Sequence, residues 1–244
     1  MFPIALTLLA TFLAAAPHKA SDTVYAGGGV LAQIVDGGGT RTTITLINLD
    51  QTSAPYTLFL YDDNGNALSL STTAGAPSSI LAGTLAPLAS VIIKTNGNSA
   101  STVEGWALLV TENTIAGSAV FGIPVGGQFA EASCPLDTGS NTQFGLPFDS
   151  TTAVTGVAIA NSWLNAPLAV GVTVYDINGN QLLTDTITLP TNAHTAFLLT
   201  TRYPQLATQQ GFVIFSGSYY MNVLGLRATA TTYTSVTPII ANGW

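Results

Sequence analysis

From Val30 onward, apolar and polar residues alternate with a period close to two, as in Thr43-Ile44-Thr45-Leu46-Ile47-Asn48. Similar runs are Thr57-Leu58-Phe59-Leu60-Tyr61, Val91-Ile92-Ile93, Trp106-Ala107-Leu108-Leu109-Val110 and Ala119-Val120-Phe121. Successive side chains of a strand point to opposite faces, so this period predicts β-strands. Gly, Asn, Pro or Ser separate the runs every 8–15 residues, the spacing of a sandwich or barrel. Helical spacing is nearly absent. Only Arg202-Tyr203-Pro204-Gln205-Leu206-Ala207-Thr208 reads as one turn between strands.

The pattern occurs twice. Tyr61-Asp62-Asp63-Asn64-Gly65-Asn66 returns 114 positions later as Tyr175-Asp176-Ile177-Asn178-Gly179-Asn180. Asn-Gly between apolar runs predicts a hairpin, because a primed turn needs positive φ at its central residues. Val157–Asn161 matches Ile44–Asn48, and Thr188-Leu189-Pro190 matches Thr84-Leu85-Ala86. Phe197-Leu198-Leu199 matches Val91-Ile92-Ile93, and Gly211-Phe212 matches Gly105-Trp106, which places Trp106 and Phe212 in equivalent core positions. The offset falls to 106 at Gly105/Gly211, because the second copy lacks Ser71–Ser79. That segment reads as a surface-loop insertion. Preserved order with a shifting offset predicts a duplication: an all-β chain of two tandem antiparallel β-sandwiches, residues 22–137 and 143–244. The Pro/Gly/Ser/Thr-rich stretch Cys134–Thr142 lies between them.

The N-terminus departs from the alternation. Ile4–Ala16 is a run of 13 apolar or small residues, closing on Ala14-Ala15-Ala16. It is too short to span a bilayer and fits the apolar region of a secretory signal, residues 1–20. Cleavage after Ala16 meets Pro17 just past the scissile bond, and a cut after Ala20 is the alternative. No later stretch is long and apolar enough for a membrane helix, so stable membrane insertion is not expected and an extracellular or cell-surface location is.

Composition narrows the function classes. Hydrophobic residues make up 47% of the chain and charged ones 7%, which supplies a core and excludes a disordered protein. The formal charge is −7 with five Lys+Arg, so no basic face for nucleic acid can be assembled. Cys134 is the single cysteine, which excludes an intramolecular disulfide.

Several repeated elements carry a resemblance: Asp36-Gly37-Gly38-Gly39-Thr40-Arg41-Thr42-Thr43, the asparagines Asn48 and Asn161 that follow a strand, the Tyr-Asp-x-Asn-Gly-Asn turns, and His194-Thr195-Ala196-Phe197. Together they resemble tandem immunoglobulin-like β-sandwich repeats of secreted bacterial proteins. The resemblance spans nearly the whole mature chain and rests on structural motifs. It implies adhesion, assembly or display rather than one activity. The Cys pairs and core Cys–Trp contact of antibody domains are missing.

Chemical motifs are few. Asp137-Thr138-Gly139-Ser140 matches the aspartic-peptidase tetrapeptide, in which two facing carboxylates share a proton. Its context is wrong: Ala132–Leu136 reads as a poor strand, and Asp149-Ser150-Thr151 lacks the glycine of a partner loop. Asp62-Asp63-Asn64-Gly65-Asn66 invites a calcium reading, but its glycine comes two positions too early for an EF-hand loop. Of the two histidines, His18 leaves with the signal and His194 reads as a strand-end residue at solvent. No cofactor or metal site is expected. Trp163, Tyr219, Tyr220, Tyr233 and Trp244 fall near loops or the C-terminus, where they either close sandwich ends or offer rings to a ligand. The expectation is a non-enzymatic structural or adhesive module. Its partner would be another protein, a copy of itself, or a polysaccharide. A carbohydrate-binding protein using the loop aromatics is the alternative. A secreted aspartic-type hydrolase is the third reading.

Overall fold

A computed structural model describes residues 28–125, 128–229 and 232–240. The expected signal segment 1–20 and Trp244 lie outside the described residues. Strand accounts for 63% and helix for 3%, so the chain is all-β.

The first half contains β1 (Gly29–Asp36), β2 (Arg41–Asn48), β3 (Ala54–Asp62), β4 (Leu70–Thr72), β5 (Gly75–Ser78), β6 (Ile80–Leu85), β7 (Ser90–Lys94), β8 (Val103–Val110), β9 (Ile115–Val125) and β10 (Gln128–Pro135). The second contains β11 (Gln143–Asp149), β12 (Val154–Ala160), β13 (Leu168–Asp176), β14 (Gln181–Leu189), β15 (His194–Leu198), helix α1 (Leu199–Arg202), β16 (Gln210–Gly217), β17 (Asn222–Ala228), β18 (Tyr233–Val236) and β19 (Ile239–Ile240). Pro204–Leu206 adds a 3-10 turn, so the short helical segment starts earlier than the sequence suggests.

Four main antiparallel sheets result. Sheet I has the order β1-β8-β3-β6 and sheet II β10-β9-β2-β7. Sheet III is β15-β12-β17-β18 and sheet IV is β14-β13-β16-β11-β19. Strand for strand, sheet IV read backwards and without β19 repeats the order of sheet I, and sheet III read backwards repeats sheet II.

Sheets I and II enclose one core, with Leu31, Ile34, Leu46, Leu58, Leu109 and Phe121 buried in it. Sheets III and IV enclose another, around Leu146, Val157, Ile159, Val172, Val213 and Phe215. The outer faces of sheets I and III also meet. β1 is buried along its whole length, and β12 at every residue but the first. Gly156, Ala158 and Ala160 alternate along β12, and such small side chains let two sheets approach closely. Val30 and Trp106 pack with Ala160, while Ala158, Leu224 and Leu226 join the first core cluster. The two sandwiches therefore meet through sheets I and III, and β18 of sheet III also runs beside β10 of sheet II, where the Ser133 and Ser235 hydroxyls lie 3.1 Å apart. Trp106 is buried, but on this contact rather than inside the first sandwich.

The turns explain themselves at the residue level. Between β1 and β2, Gly37 and Thr40 exchange backbone bonds around Gly38 and Gly39, both at positive φ, which makes a primed two-residue turn. The Asn-Gly turns differ from expectation. Only Gly65 and Gly179 have positive φ, at 83° and 82°. Gly65 donates to Asp62 O, and Asp62 donates to Asn66 O; Gly179, Asp176 and Asn180 repeat both bonds. This is a type I turn followed by a left-handed glycine. Asp62 Oδ1 accepts from the Asn64 and Asn66 amides at 2.9 and 2.8 Å, and Asp176 Oδ1 does the same for Asn178 and Asn180.

β13 and β14 form one continuous hairpin with a single register shift at Val174/Tyr175. In the first half the return strand begins at the Tyr61–Ala67 bridge, leaves as the small hairpin β4–β5, and resumes as β6. The segment expected to be a plain surface loop is thus folded. Its end covers the rim of β7, since Thr72 bridges Thr95 and Thr73 N donates to Lys94 O. No described helix is long and apolar enough to cross a membrane.

Candidate functional site

The carboxylates of the peptidase-like motif are committed elsewhere. Asp137 Oδ1 accepts from Gly139 N at 2.8 Å, its Oδ2 accepts from Asn222 Nδ2 at 2.7 Å, and its backbone bridges Val30 at the edge of β1. Asp149 accepts from the Thr151 amide and from the Thr151 and Thr152 hydroxyls. Neither carboxylate is bonded to the other, so a proton-sharing dyad is not assembled. Gln128–Pro135, just before the motif, is a strand, contrary to expectation. Its short Ala, Ser and Cys side chains hid it. No group of three or more metal-ligating side chains occurs among the described residues. The Asp62 and Asp176 carboxylates serve their own turns.

His194 is not at solvent. It is 2% exposed, and its Nδ1 lies 2.7 Å from Asp63 Oδ1 of the opposite half. The His194 amide also donates to Asp63 O. Beside it, Trp106 stacks on Tyr61 with ring centres 4.9 Å apart and donates Nε1–H to Asn192 O at 2.6 Å. The first Asn-Gly turn therefore rests on the β14–β15 turn. His194 does open a strand, as expected, but the other half of the chain covers it.

Cys134 is 1% exposed and free. Burial pushes its thiol up to about 12, opposed weakly by the Gln33 and Ala32 backbone. A thiol in that state is unreactive.

Three of the five aromatics named from the sequence converge. Trp163 lies on the β12–β13 connection, and Tyr219 and Tyr220 on the β16–β17 connection. Trp163 stacks on Tyr219 with centroids 5.3 Å apart and planes at 10°, and meets Tyr220 edge-on at 5.8 Å. Tyr219 is 43% exposed; Trp163 and Tyr220 are half-buried. Tyr233 is elsewhere, edge-on to Phe121 of the first core.

The connections that carry the trio are held firmly. Asn161, fully buried, donates Nδ2–H to Ala166 O and Pro190 O and accepts from Trp163 N. Leu164, next to Trp163, packs against the Val30–Trp106–Ala160 cluster. Met221 N donates to Asn141 O and Ser218 N to Ala169 O, which fix both ends of the tyrosine pair.

The first half shows what the same site is without aromatics. Asn48 donates to Thr52 O and Ala86 O and accepts from Asp50 N, so Asp50 stands where Trp163 does. Asp50 reaches the facing β8–β9 turn by polar bonds, accepting from Thr114 N at 2.8 Å and Asn113 Nδ2 at 3.3 Å. The Thr114 amide, above all, holds its carboxyl below the usual range. Each half thus ties the same two connections together: one by a carboxylate, the other by clustered rings that stay partly exposed. No protein-family model, curated protein or solved structure matches the chain.

Proposed function

We propose that this protein is a non-enzymatic extracellular or cell-surface adhesive module built from a duplicated immunoglobulin-like β-sandwich, and that it holds a polysaccharide on the Trp163–Tyr219–Tyr220 platform. One observation carries the reading: at the end where the halves are otherwise built alike, the second replaces a polar tie by three clustered rings. A sandwich end closes with Asp50 alone, so closure does not require aromatics. Sugar rings present flat faces of C–H bonds, and aromatic faces carry the matching negative potential over a large area at low entropic cost. A pre-stacked, anchored platform loses little freedom on binding. The duplication is supported by the repeated strand order, the paired asparagine clamps and the matching glycine turns.

A glycan array tests this. The full chain is expected to retain one class of polysaccharide. Trp163→Ala or Tyr220→Ala is expected to weaken retention about tenfold or more, the scale of an aromatic hot spot. Retention unchanged in both variants would place the contact elsewhere.

A second reading, self-assembly by strand addition, has its own support. β6 and β14 occupy equivalent sheet edges, and each pairs on one side only among the described residues. β14 is guarded: Asp185 sits mid-strand and accepts from the Tyr203 hydroxyl at 2.8 Å. An inward charge of this kind discourages pairing at an edge. β6 carries no charge, and its Ile80 is 51% exposed. Light scattering across protein concentrations decides: growth abolished by Ala82→Lys supports strand addition through β6, and a monomer at every concentration ends it.

A further inference from the structure

Where sheets I and II meet sheet III they leave a cleft of about 360 Å³. That is the lower range of small-molecule sites, roughly 300–1,000 Å³. Phe121, Ile123, Ala158 and Leu226 supply apolar lining, and Gln33, Glu104 and Tyr233 supply polar groups. No Lys, Arg or His lines it.

Gln33 is out of place as a structural residue. It is 4% exposed, and its Oε1 is buried with no hydrogen-bond partner. A buried amide oxygen without a partner is costly, and such groups are usually bonded to something. The backbone explains how it comes to line the cleft. The pairing of β1 with β8 shifts register between Leu31 and Ile34, so Ala32 and Gln33 form a bulge. Bulges re-aim a side chain and recur beside functional sites. Glu104 lies on the neighbouring strand β8, half-buried, with no salt bridge or hydrogen bond among the described residues. Tyr233 arrives from β18 of the other half, and its ring is packed against the first core.

The cleft thus offers an unbonded amide oxygen, an unpaired carboxylate and an aromatic ring, inside apolar walls and a protein of net charge −7. Gln33 Oε1 and the Glu104 carboxylate accept hydrogen bonds and are bonded to nothing within the described fold, so a donating cation matches them. Ammonium groups donate three hydrogen bonds and are attracted to carboxylates and ring faces. We infer that this cleft binds a small primary amine in its ammonium form, with an apolar body against Phe121 and Leu226 and the cation between Gln33 and Glu104. This site is separate from the Trp163 platform, and its test does not depend on that reading.

The test is an NMR titration of the full chain with phenylethylamine and hexylamine, each set against its alcohol isostere at matched ionic strength. Saturable shifts are expected at Gln33, Glu104 and Tyr233, with each amine binding about tenfold tighter than its alcohol, on the order of one partly desolvated charge pair. Glu104→Gln should abolish that preference without changing the unliganded spectrum elsewhere. Gln33→Leu should weaken amine binding while raising the melting temperature, because it removes a buried unbonded oxygen. No saturable binding by either amine, shifts outside the cleft, or equal binding of amine and alcohol would overturn the proposal. A lowered melting temperature in Gln33→Leu would also count against it, since it would mean that the amide is already satisfied within the fold.

Discussion

The smallest unit that decides this fold is a buried asparagine. Asn48 and Asn161 each clamp the loop that follows their strand with three bonds, two donated and one accepted. An apolar replacement leaves two carbonyls and an amide without partners. Asn161→Ala should therefore cost about 2–3 kcal/mol in urea unfolding. Asn161→Asp should be no better, because a carboxylate cannot donate. The repeat of this residue was readable in the sequence, and so were the repeated turns. Its function was not, because a polar residue after a strand looks the same whether it faces solvent or locks a loop. His194 teaches the same lesson, since what buries it is Asp63, 131 residues away.

At the scale of elements, the two Asn-Gly turns are a matched pair in different surroundings. Both glycines have φ near +82°, which L side chains rarely adopt. A Cβ on Gly179 would meet nothing within 4 Å, whereas one on Gly65 would fall 2.2 Å from Thr191 O. Gly179→Ala should cost about 1 kcal/mol, the left-handed backbone penalty alone. Gly65→Ala should cost at least about twice that, because the β14–β15 turn must move as well. Comparing the two melting temperatures checks this, and equal losses would mean that the turn does not bear on the second half. Alternation in the sequence located most strands correctly. It missed β4, β5, β10, β11 and β17 to β19, several of them short or rich in small residues, and it could not show that the insertion turns back to cover the rim of β7. The convergence of Trp163 with Tyr219 and Tyr220 was also out of reach. Their 56-residue separation is closed only by the order of sheets III and IV.

At the scale of the whole molecule, two sandwiches share a third buried layer contact, so they should unfold together rather than as beads on a string. The groups in these cores also set the alkaline limit. Burial raises Cys134 from 9.0, and Tyr203 and Tyr233 from 10.0, each to about 12. For Tyr203 the bond to Asp185 adds to the effect of burial. The folded chain therefore holds these protons where the unfolded chain releases them. That contribution to stability is fully present below about pH 9 and is lost as pH climbs toward 12. The urea midpoint should fall steadily from pH 9 upward, and Cys134→Ala should delay the start of that fall. A midpoint independent of pH up to 11 would contradict the burial of all three groups.

The functional claim rests on the aromatic platform, and affinity electrophoresis tests it most directly. The full chain and Trp163→Ala are run side by side through gels cast with a series of soluble polysaccharides, with a control gel lacking them. The expected result is retardation of the full chain by at least one polysaccharide and free migration of Trp163→Ala in the same gel, both proteins melting as single cooperative units. Equal retardation of the two, or none in any gel, would contradict the account and turn attention to the cleft and the β6 edge.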